Sequence, residues 1–217
     1  NVSPINTGPF LPTLHMLDFF KYDLDKTKFC FAGENVPLTE VFTSVFIPLW
    51  EADSGDTVNM VISEVGEDLT PSVTKLSNDG CDAVLVAFTE PGYQSFFQAV
   101  EAQGLKDEMV FGMLTSGYSL NLMEAAGGTL EGVYVNSEYE PYTGDESKFS
   151  DGVKDYIALA TAADEPLTSF GEGGYIAANI VIKALESVTG ELTKESVNAA
   201  FQNGPNWGEN VLIPLDW

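Results

Sequence analysis

Apolar and polar residues follow two alternating rhythms along the first two thirds of this chain. Short strand-length runs fall at 28–33, 57–64, 82–88, 109–114 and 132–137, and within the third, Ala83 to Phe88 has no polar face. Between them lie longer stretches whose apolar residues recur at helical spacing, at 10–24, 38–53, 70–79, 91–104 and 119–126. A strand without a polar face is covered on both sides, so the pattern predicts a parallel sheet with helices packed above and below. In the first helix Leu14, Leu17 and Phe20 or Leu24 point inward.

The segment 70–105 shows the rhythm most clearly. Thr70 suits a helix N-cap and Pro71 the first turn, while Asn78-Asp79-Gly80 closes the helix through a left-handed glycine. Ala83 to Phe88 is apolar throughout, Glu90-Pro91 opens the next helix, Phe96, Phe97 and Val100 form its buried face, and Gly104 ends it. The loop Phe88-Thr89-Glu90 therefore sits at the carboxyl end of a parallel strand, where open α/β sheets place their ligands.

After Ser137 the pattern changes. Residues 138–146 have a linker composition, with Tyr139, Pro141, Tyr142 and Gly144. Helices follow near 146–162, 168–188 and 193–202, then one short strand, 211–215. Helix 168–188 carries Ile176, Ile180, Val181, Ala184 and Leu185 on one broad apolar side, yet this half has no sheet of its own to bury it. The expected organisation is an α/β domain over 1–137, a doubly wound, five-stranded parallel sheet, followed by a helical segment over 138–217.

The order of motifs resembles the second lobe of the type I periplasmic binding proteins, the amino-acid-binding group that serves ABC transporters. The resemblance rests on Pro71, Lys75-Leu76, Gly80, Asp82-Ala83-Val84 and Gly104-Leu105, followed by Ala125-Ala126-Gly127, Glu131-Gly132-Val133 and Tyr175. It implies a flavodoxin-like lobe two and, after residue 137, helices returning to lobe one. On this reading the chain starts at the first crossing between lobes and stops near the third. The rest of the first lobe would then come from the same polypeptide or a partner chain. Residues 136–139 and 212–215 would be the hinges.

Composition narrows the partners. The chain has 217 residues, 33 acidic against nine basic side chains, and a formal charge of −24; all nine cations are lysine. Such a charge repels nucleic acid and anionic membranes, and without arginine there is no bidentate clamp for a phosphate or carboxylate. Cys30 lies in one apolar strand and Cys81 just before another. With neighbouring strands in register near Leu85, Cys81 would fall several residues lower, so both cysteines read as buried free thiols.

Candidate chemistry gathers in the loops after the strands. Asn35 follows strand one, although Leu38-Thr39 stands where the family commonly has Tyr-Gly. Thr89 and Glu90 follow strand three. Thr115, Ser116 and Tyr118 follow strand four, with Thr115 where leucine-binding members direct a carboxylate at the ligand ammonium. Glu90 suits that ammonium role, and equally suits the positive end of its helix. Thr115 and Ser116 suit a polar ligand or an ordinary turn, and Tyr118 would cap a pocket or pack beneath it. Phe170 and Glu172 open the long helix, where the aromatic would cover a ligand or act as a staple.

Enzyme signatures are weak: His15 has no nucleophile placed beside it, and no phosphate loop or metal motif appears. Glu51, Asp53 and Asp56 read as solvated turn acids. No catalytic residue, metal or cofactor is expected. The resemblance implies an extracytoplasmic solute-binding protein, periplasmic or extracellular, with or without a lipid anchor. It would bind a small amino acid or related amide in an interlobe cleft and deliver it to an ABC permease. A sensory ectodomain and a structural or assembly protein on a half scaffold remain open.

Overall fold

The computed structural model describes residues 10–203, which form two compact units, 10–138 and 139–203. Strand 211–215 and the second hinge lie outside the described residues.

In the first unit five parallel strands, β1 (Phe29–Glu34), β2 (Val58–Ser63), β3 (Ala83–Ala87), β4 (Val110–Met113) and β5 (Tyr134–Val135), stand in the order β2-β1-β3-β4-β5. Helix α1 (Phe10–Asp18) precedes them, and α2 (Pro37–Val41) and α3 (Ile47–Ser54) join β1 to β2. The remaining crossovers use α4 (Thr70–Asn78), α5 (Glu90–Ala102) and α6 (Leu120–Ala126). Alternation along the strands divides the core by face, as the pleat requires. Phe29, Phe31, Leu85 and Ala87 pack with Met16, Leu17, Phe20, Phe42, Ile47 and Trp50 on one side. Cys30, Ala32, Val84, Val86, Phe111 and Met113 pack with Leu76, Tyr93, Phe96, Phe97 and Val100 on the other. The doubly wound α/β architecture is thus present, with Leu17 and Phe20 fully buried as expected and Leu14 and Leu24 partly so.

Two local expectations change. Thr70 does not cap α4; its N–H is instead taken by Asp68 Oδ1 at 2.9 Å. The larger correction concerns the cysteines: Cys30 and Cys81 form a disulfide, with Cα atoms 5.9 Å apart. Cys30 pairs in register with Val84, three residues beyond Cys81. An extended chain would carry Cys81 out of reach, but those residues are not extended. Gly80 adopts φ +72°, Cys81 N–H bonds back to Leu76 O at 3.1 Å, and the N–H groups of Asp82 and Ala83 both reach Lys28 O. The turn folds Cys81 over the face that Cys30 occupies.

In the second unit α7 (Asp151–Ala163), α8 (Ser169–Ser187) and α9 (Lys194–Asn203) follow in sequence. Tyr139, Ile176, Ile180 and Ala184 form its small core, with Tyr175, Ala200 and Phe201 against it. The apolar side of α8 is only partly buried: Val181 and Leu185, expected inside, are exposed.

The disulfide spans 51 positions, and loop-closure entropy gives it about 4 kcal/mol of stabilisation. Cys30→Ser or Cys81→Ser should lower the unfolding free energy by an amount of that order, measured by denaturant titration. Thiol titration should find no reactive cysteine until the denatured protein is reduced.

Candidate functional site

The strand order reverses at β1. The chain leaves β1 toward β2 on one side and later enters β3 on the other, so the loops after β1 and β3 diverge and leave a crevice between them. Glu34, the last residue of β1, spans this crevice. It is buried at 4% exposure, and its carboxylate accepts the Thr89 N–H at 2.9 Å and the Thr89 hydroxyl at 3.1 Å. It thereby occupies the positive N-terminus of α5, where a free anion would otherwise be drawn. Gly92, in the first turn of α5, is needed for this approach: a Cβ there would lie 2.6 Å from Glu34 Oε1.

The other predicted residues of this unit line the same edge. Asn35 is exposed; its N–H bonds to Ser63 O and its side-chain amide donates to Glu64 Oε1 at 2.9 Å. Glu90 is exposed at the start of α5. Thr115 and Ser116 follow β4 half-buried. Burial pushes the carboxyl of Glu138 above the usual range, and the nearby Thr115 side chain opposes that shift. Ser116 Oγ lies 3.2 Å from Tyr93 Oη. Tyr93 is fully buried, its hydroxyl donates to Val86 O, and burial raises its pKa to about 12. Tyr118 is buried at 4%, so it packs within the unit and leaves the edge open.

The two candidates of the second unit differ sharply. Phe170 is 75% exposed, whereas Glu172, two residues on, is 1% exposed. Glu172 Oε2 has no hydrogen-bond partner. Burial, and then the charge of Glu140, push its pKa up to about 8. Tyr156, joined to the Thr168 backbone at both N–H and carbonyl, lies in the field of Glu172.

Sequence reasoning passed over Glu34, Glu64, Tyr93 and Glu138. A signal existed for Glu34: an acid directly ending an all-apolar strand is either solvated or deliberately paired.

A model described as "Periplasmic binding protein" matches residues 9–217. The chain belongs to the periplasmic binding protein family. Solved structures agree on the fold. A fatty acid ABC transporter substrate-binding protein from Thermomonospora curvata superposes with a TM-score of 0.79 at 19% identity, covering 99% of this chain and 56% of that one. A leucine-binding protein from Thermotoga maritima gives 0.77 at 16% identity, covering 99% and 60%. A solute-binding protein of an ABC transporter from R. palustris, in complex with benzoate, gives 0.67 at 16%, covering 88% and 51%. This periplasmic binding protein therefore spans little more than half the length of the structures it matches. Among curated proteins none matches it by sequence.

Two consequences are measurable. Glu34→Ala removes the partner of the Thr89 N–H and should cost about 1–3 kcal/mol of stability by urea unfolding. Glu172 holds a folded pKa raised above its ordinary value of 4.5. Its contribution is intact below that value, and stability should fall as pH rises from about 4.5 toward about 8, then level off. The fall should be of the order of a few kcal/mol, and Glu172→Gln should flatten that part of the stability-versus-pH curve.

Proposed function

We propose that this chain belongs to the extracytoplasmic solute-binding component of an ABC importer. It takes a small amino acid or related amide at the carboxyl edge of its five-stranded unit, and carries out no catalysis. The observation that carries this reading is the set of exposed or half-buried polar residues at the carboxyl edge, Asn35, Thr89 and Glu90 at the β1/β3 crevice and Thr115 and Ser116 after β4, held by a rigid sheet beneath. Rigid elements presenting a few polar groups suit reversible recognition of a small ligand. Among the described residues no group of three or more acidic, His or Cys side chains is placed to hold a metal ion. His15 is exposed on α1. The disulfide supports an oxidising compartment, periplasmic or extracellular. No helix among the described residues is long and apolar enough to cross a membrane. A permease is the proposed partner.

One observation favours a second reading. Leu159, Phe170, Val181 and Ile182 of the second unit are each more than 40% exposed. That apolar surface suits cover by further first-lobe sequence, or by a partner chain in an assembly that reuses the scaffold.

Thermal shift with a panel of amino acids and their amides tests the first reading. A binder should raise Tm in a concentration-dependent way, and Thr89→Ala should weaken its affinity about tenfold, the loss of one good hydrogen bond. A panel with no binder, together with a stable oligomer by light scattering, would put assembly first.

A further inference from the structure

We infer that residues 139–150 form a strap across α7 and α8 that is held down while Glu172 is neutral and let go when Glu172 ionises. The device lies wholly within the second unit and does not depend on the solute-binding reading.

The strap leads from Tyr139 to Ser150, the N-cap of α7, with one short 3-10 turn at Glu146–Lys148. Tyr139 is buried and packs with Ile176 and Ile180 of α8. Tyr142, also buried, sets its ring edge-on to that of Tyr156 in α7, with centroids 5.9 Å apart. Between the two tyrosines, Glu140 Oε1 accepts the N–H of Ser150 at 2.9 Å and closes the strap into a loop. Ser150 in turn accepts the N–H of Val153, so the loop ends on the first turn of α7.

Glu172 stands where α8 meets this loop. The glycines on either side of it each let a phenol come close: a Cβ at Gly171 would lie 2.8 Å from Tyr156 Oη, and one at Gly173 2.7 Å from Tyr139 Oη. The carboxyl between them is buried, and its Oε2 has no hydrogen-bond partner. The titratable groups around it are Glu140 and Tyr139 from the strap, Tyr156 from α7 and Tyr175 from its own helix. From α9 come Ala200 and Phe201, which do not titrate. No cation is among these groups, and Glu140 carries the sign that Glu172 would acquire. An anion formed here is desolvated and faces like charge. Three of its surroundings are helices; the strap is irregular chain, and lifting it admits water at the least structural cost. With the strap down, burial and Glu140 raise the carboxyl to about 8; with the strap lifted it returns toward its ordinary value of 4.5. Opening therefore grows about tenfold per pH unit between those two values and levels off above the higher one.

Hydrogen exchange of the full chain, read by mass spectrometry from about pH 5 to about pH 9 and corrected for the intrinsic exchange rate, tests this. Protection of the strap amides should fall about tenfold per pH unit and level off near pH 8. At every pH it should stay at least about tenfold below that of the amides of residues 176–184 in α8, because the strap opens without the unit unfolding. Glu172→Gln should keep the strap at its low-pH protection throughout. Glu140→Gln keeps an acceptor for Ser150 but removes the like charge, and should move the levelling-off to lower pH. If Glu172→Gln fails to fold, the shift in Glu140→Gln decides. Strap protection that is independent of pH, or equal to that of α8, would overturn the inference. So would a pH dependence that Glu172→Gln leaves unchanged.

Discussion

Covering a parallel sheet on both faces with helices removes almost all of its surface from chemistry. In this unit Phe29, Phe31, Leu85 and Ala87 are sealed on one side and Cys30, Ala32, Val84 and Val86 on the other, so only the two ends of the sheet meet solvent with backbone and polar side chains. Right-handed crossovers then make the ends unequal. Every strand delivers its following loop to the carboxyl edge, and the reversal of direction at β1 parts two of those loops. The crevice is a consequence of topology, and whatever a sequence places at residues 34–35 and 89–90 is presented there.

What this sequence places there is its own carboxylate. Glu34 stands at the α5 N-terminus, a position that many α/β proteins leave open for a ligand anion. Because the acid is covalently part of β1, its oxygens are fixed at this position, and the hydroxyl of Thr89 is oriented by them. At Asn35 the side-chain amide donates to Glu64, which is itself exposed, so only Thr89 is held by a buried acid. The orientation of the Thr89 hydroxyl is thus set by a buried residue of the neighbouring strand.

Sequence reading reached the elements because each carries a local cause. The unbroken apolar run 83–87 needs cover on both faces, Pro91 marks a first turn, and Gly80 permits a left-handed exit. It missed the disulfide for a single physical reason: extended geometry was continued backward from Ala83 through a segment that Gly80 had already folded. It also assigned the cap of α4 to Thr70 where Asp68, two residues earlier, holds the N–H. The candidate residues Asn35, Thr89, Thr115 and Ser116 were legible from their place after strands. Their direction was not. Whether a hydroxyl donates or accepts depends on Glu34 and Thr89, 55 positions apart, meeting through strand register, and no local pattern encodes that.

The second unit makes the complementary point. Its core is small, built on Tyr139, Ile176, Ile180 and Ala184, and a thin core can least absorb an uncompensated polar group. Yet Glu172, at 1% exposure, keeps an oxygen without a partner and has Glu140 as a charged neighbour. A glutamine would fill the same volume without the tendency to ionise. Burial and the charge of Glu140 instead hold the proton on Glu172 up to about pH 8, so below that value the small core contains a neutral carboxyl rather than an unpaired charge.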